Sequence, residues 1–329
     1  MQKTAGAPGA PDPKNRDREV GHRRRLALSA LLACVVLVGA VSLGALAQQP
    51  ATTAESAVPP AGTRAVTPPE VSEGGAGETA APVPPEPTPT PTATPVPAFD
   101  FTQPAPETAA VEDDWFSDAV FIGDSRTDGL RLYSGIRGAD FLAYKSLMIF
   151  HVVGNDQVDR RAVPLNGVGD KKTVLEWLDE KQYAKVYLMF GVNELGYGND
   201  SAFTDAFSQA VDEIRARQPE AVLYIQSLVP IEPEKAHATN PASWLNNDNV
   251  ARYNELLRQV CADKGVVYVD VASALVNDAG NLPPEGTTDG IHFTRSWYEK
   301  WYAYLKTHTV DPAEYAAGQP VAETEEMSE

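Results

Sequence analysis

Five short apolar runs, each broken off by glycine or a polar residue, alternate with stretches of helical periodicity along the middle of this chain. The runs are Ala119-Val120-Phe121-Ile122, Phe141-Leu142-Ala143-Tyr144, Lys185-Val186-Tyr187-Leu188-Met189-Phe190, Ala221-Val222-Leu223-Tyr224-Ile225 and Val266-Val267-Tyr268-Val269. They have the form of buried parallel strands, which read as continuous apolar segments because both of their faces are covered. Between and after them, residues 173–180, 201–218, 249–264 and 294–307 have helical character. The second places Phe203, Ala206, Phe207, Ala210, Val211 and Ile214 on one face, and Gly265 stops the third. Alternation of this kind predicts an α/β fold with a parallel five-stranded sheet sandwiched between helices.

The rest of the chain is not built to fold in the same way. Residues 1–25 carry seven basic and three acidic side chains, and Leu26 to Ala47 is a 22-residue run without a charge. That length crosses a bilayer as a helix, and Arg23, Arg24 and Arg25 on its leading side place the N-terminus in the cytoplasm. The expectation is a single-pass signal-anchor helix that leaves the remainder of the chain outside the cytoplasmic membrane. Ala45-Leu46-Ala47 also resembles a signal-peptidase site, and Leu31-Leu32-Ala33-Cys34 has a faint likeness to a lipobox; each of these readings exports the domain as well. Residues 48–110 are rich in proline, threonine and alanine and are expected to form a disordered linker. Residues 311–329 read as an acidic disordered tail. This leaves 111–310 as the folded domain, enough for one good core.

The formal net charge is −18, with no basic stripe in the folded part, which argues against nucleic acid as a partner. Two cysteines, Cys34 and Cys261, offer neither a disulfide framework nor a thiolate metal site. No cluster with metal-ligand spacing occurs, so no metal and no cofactor are expected.

Three polar motifs stand where strands end or in the loop beyond one: Gly123-Asp124-Ser125, Gly191-Val192-Asn193 and Asp289-Gly290-Ile291-His292. Packing gives no reason for such residues at those points. In open α/β sheets the carboxyl ends of the strands form one edge, where ligands bind. Residues far apart in sequence therefore arrive on the same edge. Ser125, Asn193, Asp289 and His292 would together supply a nucleophile, an oxyanion donor, and a base with the carboxylate that orients it, the parts that acyl-ester hydrolysis requires. A spacing of three between Asp289 and His292 lets the carboxylate hold the imidazole Nδ1–H on a turn and select its tautomer.

In these blocks the sequence resembles the SGNH (GDSL-type) hydrolase family. Residues 121–129, Phe-Ile-Gly-Asp-Ser-Arg-Thr-Asp-Gly, match its first block, Gly191-Val192-Asn193-Glu194 its Gly-x-Asn block, and Asp289 to His292 its Asp-x-x-His block. The resemblance implies a three-layer α/β/α sandwich of flavodoxin type. It further implies Ser125 as nucleophile, His292 as general base, Asp289 as its partner, and the Ser125 amide and Asn193 side chain as oxyanion donors. Position 126 departs from the family, with Arg in place of Leu. The glycine of the second block is replaced by the stretch Tyr144-Lys145-Ser146-Leu147. Ser146 is the candidate third oxyanion donor through its backbone N–H, with Gly154 as the alternative.

The expected function is an extracytoplasmic serine esterase that removes short acyl groups, O-acetyl foremost, from cell-envelope glycans. Its partners would be the acylated glycan or a small acyl ester, and the cytoplasmic membrane through the N-terminal helix. An acyltransferase using the same residues and a non-catalytic wall-binding module are the competing readings. Trp244, in the polar stretch 240–249, is a candidate substrate contact, whereas Trp115, Trp177, Trp297 and Trp301 read as packing residues.

Overall fold

The computed structural model describes residues 95–320. The expected membrane helix at 26–47, most of the linker and residues 321–329 lie outside them. Among the described residues no helix is long and apolar enough to cross a membrane.

Among the described residues seven strands form in chain order: β1 (Ala119–Gly123), β2 (Asp140–Ala143), β3 (Ala162–Pro164), β4 (Lys171–Thr173), β5 (Lys185–Met189), β6 (Val222–Gln226) and β7 (Val267–Val269). Five of them make one parallel sheet in the order β2-β1-β5-β6-β7, as the five apolar runs predict. A ladder of aromatic rings fixes its register. Phe121 pairs with Phe141 on one side and Tyr187 on the other, and Tyr187 pairs with Tyr224. The rings stack at 5.1, 4.6 and 4.4 Å between centroids. Cross-strand aromatic pairs of this kind contribute roughly 0.5–1.5 kcal/mol each beyond the area they bury. Since one slip of register would move every inward side chain to the other face, this ladder also aligns the strand ends that carry the motifs.

The helices are α1 (Ser125–Tyr133), α2 (Ile149–Val153), α3 (Val174–Glu180), α4 (Asp200–Arg217), α5 (Pro233–Thr239), α6 (Asn247–Lys264), α7 (Val271–Leu275), α8 (Arg295–Thr307) and α9 (Pro312–Gly318). They fall into two groups: α2, α3 and α6 pack on α4, while α1 and α7 pack on α8. With the strands of the five-stranded sheet buried almost throughout, the architecture is α/β with helices on both sides of the sheet. The turn at Gly265, with φ +61°, ends α6 in the left-handed conformation that a glycine stop provides.

Two differences from the sequence reading concern boundaries. Part of the linker expected at 48–110 belongs to the fold: Phe101 and Ala105 are buried, and Ala105 N–H donates to the Tyr268 carbonyl at 2.8 Å. Pro104 bridges to Tyr268 along β7, the edge strand of the sheet, a place that tolerates a residue without an N–H. Part of the tail expected at 311–329 is likewise ordered, as α9. Its Tyr315 packs edge-on against Phe101 at 5.5 Å, and Phe99 N–H donates to the Glu314 carbonyl. Proline-rich or acidic composition averaged over a long segment hides the few aromatic residues that have something to bury. The antiparallel pair β3–β4 was also not legible, because three-residue strands containing Pro164 and Lys171-Lys172 carry no apolar alternation.

Candidate active site

The nucleophile candidate owes its position to a helix start. Gly123 ends β1, Asp124 caps α1, and its Oδ1 accepts the Arg126 N–H at 2.8 Å. Ser125 is therefore the first residue of α1. Its N–H belongs to the helical turn that has no intrahelical acceptor, at the positive end of the helix dipole.

The partner loop folds around its own carboxylate. Asp289 Oδ1 accepts the backbone N–H groups of Ile291 (2.9 Å) and His292 (2.7 Å). Its Oδ2 lies 2.6 Å from His292 Nδ1. Gly290, at φ +84°, passes so close to α5 that a Cβ there would lie 2.2 Å from the Ala236 nitrogen. Buried Thr287 staples the loop internally, donating from Oγ1 to the His292 carbonyl at 2.6 Å and accepting the Gly290 N–H at 2.9 Å. Lys235 of α5 holds it from outside by donating to the Pro284 and Thr287 carbonyls at 2.6 and 2.8 Å.

These two pieces meet. Ser125 Oγ stands 2.8 Å from His292 Nε2 although 167 positions separate them in sequence. With Asp289 accepting at Nδ1, the imidazole proton sits there and leaves Nε2 free to accept from the serine hydroxyl. Burial pushes the Asp289 carboxyl up, but the hydrogen bonds and charge of His292, with the Ile291 N–H, outweigh it and hold the group well below the usual carboxylate range. Chemically, this arrangement can deprotonate a serine hydroxyl, accept its proton, and stabilise the imidazolium that results.

Asn193 arrives beside them from the loop after β5. Its side-chain amide donates to Asp124 Oδ2 at 3.1 Å and to the Leu147 carbonyl at 3.2 Å. Asp124 thus connects the helix of Ser125 to the Asn193 loop, and Leu147 connects that loop to the segment after β2. Burial raises the Asp124 carboxyl, opposed by the Arg126 charge. In the same segment Ser146 takes φ +56°, the left-handed conformation that favours glycine. Gly154, the alternative third donor, has its amide committed to the Phe150 carbonyl at 2.9 Å as the cap of α2.

Glu194, next to Asn193, is fully buried. Its Oε1 accepts the Ile149 N–H at 2.7 Å, fastening α2 to the Asn193 loop. Burial pushes its carboxyl up to about 8 and favours its neutral form. Trp244 is half-buried with its indole over Gly196, where a Cβ would lie 2.9 Å from the ring. It therefore packs on the loop that carries Asn193. Trp301 is in the core, and Trp115, Trp177 and Trp297 pack against it, as the sequence suggests. Sequence reasoning did not find Thr287 or Lys235. Neither belongs to a motif, and both act by holding loop backbone.

The model of the GDSL-like Lipase/Acylhydrolase family matches residues 121–300. No curated protein matches the chain. Among solved structures it is similar to a GDSL-like lipase from Bacteroides thetaiotaomicron VPI-5482, at 14% identity and a TM-score of 0.40, covering 58% of this chain and 85% of that one. It is also similar to a carbohydrate esterase family 3 protein from Talaromyces cellulolyticus (14% identity, TM-score 0.39, 57% and 94% covered). A third is the periplasmic domain of a lipopolysaccharide acetyltransferase from Salmonella ser. Paratyphi A (17%, 0.41, 57% and 82%). The family model spans more than half of the chain and takes in all three motif loops, and on that ground this protein, a serine hydrolase, belongs to the GDSL-like lipase/acylhydrolase family.

Proposed function

We propose that the protein is an extracytoplasmic serine esterase that removes short acyl groups, O-acetyl foremost, from cell-envelope glycans. The observation that carries the chemistry is the unbroken relay Ser125 Oγ, His292 Nε2, His292 Nδ1, Asp289 Oδ2, with contacts of 2.8 and 2.6 Å. Ser125 Oγ attacks the ester carbonyl while His292 Nε2 takes its proton, and Asp289 stabilises the imidazolium. The proton then passes to the leaving sugar oxygen, which departs and leaves an acyl-Ser125. Water, deprotonated by the same nitrogen, releases the carboxylic acid and restores the serine. The negative oxygen of each tetrahedral intermediate faces the Ser125 N–H at the start of α1. Asn193 joins as a donor by turning one N–H from the Leu147 carbonyl, its uncharged acceptor, to the oxyanion, and the Ser146 N–H is the third.

A short acyl group is favoured because a long chain needs apolar surface to lie on. The large hydrophobic side chains exposed among the described residues are Val96, Leu132, Tyr133 and Val168, and none belongs to the three motif loops. Hydrolysis is favoured over transfer by the 35% exposure of the His292 side chain, which admits water to the base. The continuous relay also counts against a purely wall-binding role. The envelope as the place of work rests on the apolar run 26–47 with its basic leader, and on the proline-rich tether, which suits a fixed polymeric substrate.

Acetate release from isolated envelope fractions, comparing the full chain with Ser125→Ala, tests the proposal. Release by the wild type that Ser125→Ala abolishes is expected. Equal release by the two, or none by either while a small acetyl ester is turned over, would overturn the glycan assignment.

A further inference from the structure

We propose that Arg126, the residue after the nucleophile, is the positioning residue that sets His292 against Ser125. This rests on the reading of those two as base and nucleophile. Arg126 is 1% exposed, an uncommon state for a guanidinium, which stays charged even when buried. Its Nε donates to the Ile291 carbonyl at 3.0 Å, and its Nη1 to the Val229 carbonyl at 2.6 Å. Ile291 lies between Asp289 and His292, and Val229 lies in the loop after β6. The guanidinium also sits over the Phe293 ring, 5.0 Å from its centroid, in cation–π range. Through its own backbone N–H it is bound to Asp124.

One side chain thus joins the first turn of α1 to two loops on the carboxyl edge of the sheet, the one after β6 and the one that carries Asp289 and His292. Two of its contacts, with Ile291 and Phe293, flank His292 directly on either side in sequence. The imidazole is held on its loop by Asp289 at Nδ1, and Arg126 holds the backbone of that loop from the helix of Ser125, so a shift of the 289–293 backbone would carry the ring away from Ser125. The charges that face it are Asp124 on its own loop and Asp289 across the gap, with the Tyr298 phenol of α8 nearby. A leucine, the family's residue at this position, fills space but donates nothing to the Val229 and Ile291 carbonyls. The departure from the motif at 126 therefore gives this chain a fixed link between nucleophile and base that leucine cannot make.

The test uses the purified full chain with p-nitrophenyl acetate as substrate, comparing Arg126→Leu, Arg126→Lys and Ser125→Ala. For Arg126→Leu kcat is expected to fall roughly 10²-fold with KM within about twofold, since a misplaced base slows the chemical step and leaves ester binding alone. Arg126→Lys should lie between Leu and wild type, because an ammonium can reach one carbonyl but not two at fixed angles. The second measurement is the rate constant for covalent labelling of Ser125 by a fluorophosphonate. It counts only folded molecules, so partial unfolding of a variant lowers the amplitude and not the rate. A labelling rate at least tenfold slower in Arg126→Leu supports the positioning role. Wild-type labelling rate and kcat in Arg126→Leu, beside an inactive Ser125→Ala, would overturn it and leave the triad standing. An active Ser125→Ala would instead overturn the triad itself.

Discussion

The Tyr298 phenol oxygen occupies the space that any side chain at position 129 would need: a Cβ on Gly129 would lie 2.0 Å from it and 2.2 Å from the ring carbon that bears it. Gly129 is the glycine four residues after Ser125 in the first motif, and Tyr298 is on α8, which begins three residues after His292. The close approach of α1 to α8 therefore sets the distance between the element that carries Ser125 and the element that follows His292. Gly129→Ala must displace the buried Tyr298 ring or push these helices apart. The expected cost is about 1–3 kcal/mol, in the range of overpacked cores, or roughly 3–10 °C in melting temperature for a domain of this size. A fall in kcat should accompany it. Calorimetry that shows a melting temperature within a degree of wild type would contradict the packing argument.

The relay from Ser125 to Asp289 makes a prediction about additivity. Ser125→Ala and His292→Ala should each lower kcat on a small acetyl ester by roughly 10⁴-fold or more, and the double variant should be no worse than the singles. Nucleophile and base act as one unit, so the second loss removes nothing that still works. The check is a double-mutant cycle with melting curves measured in parallel. Small losses that add would show that the two residues contribute separately and that the relay is not the catalytic device.

How far the sequence foretold this site depends on what kind of physics places each residue. The five strands of the main sheet and the helices α3, α4, α6 and α8 were legible because apolar runs and helical periodicity are local signals, and each appears within two residues or so of its expected ends. That Ser125 and Asn193 share an edge of the sheet was legible because their motifs coincide with the ends of β1 and β5, whereas Asp289 and His292, some twenty residues beyond β7, were marked by their motif alone. Arg126 could be seen only as a departure from a motif, since its partners are the carbonyls of Val229 and Ile291, and a carbonyl leaves no mark on the sequence. Thr287 and Lys235 escaped for the same reason. The helices α1, α2, α5, α7 and α9 escaped; all but α1 have only five to seven residues, and of helices that short the period showed in α3 alone. Phe99, Phe101 and Tyr315 escaped because prolines or acidic residues dominate the segments around them.

Asn193 is the residue whose resting contacts most qualify its expected role. Both its amide bonds go to the protein, one to Asp124 Oδ2 and one to the Leu147 carbonyl. An oxyanion would compete with the neutral carbonyl for one of them, and charge-assisted bonds are roughly twice as strong as neutral ones. Asn193→Ala should therefore lower kcat by about 10²–10³-fold with KM little changed, because the competing charge exists only as the transition state forms. Steady-state kinetics on a soluble acetyl ester provide the check. A raised KM with kcat preserved would make Asn193 a substrate-binding residue, and no change in either would leave it as a link between Asp124 and Leu147 alone.

Glu194 makes a prediction about stability and pH. Burial, which penalises the charged form, pushes its carboxyl from an ordinary value of 4.5 up to about 8. Between those two values the folded chain keeps a proton that the unfolded chain has lost. Stability must then fall as pH rises through that window, by up to about 1.4 kcal/mol per pH unit from this one group. Asp124, raised in the same direction by burial, adds to the trend. Glu194→Gln keeps the acceptor for the Ile149 N–H but cannot ionise, so its stability should decline less steeply over the same range. It need not be more stable at pH 5, where Glu194 is largely neutral in the folded state. The measurement is the slope of unfolding free energy, from urea titrations at pH 5, 6, 7 and 8, for wild type and Glu194→Gln. Parallel slopes would mean that Glu194 is ionised in the folded protein, and that its contact with Ile149 is a charged one.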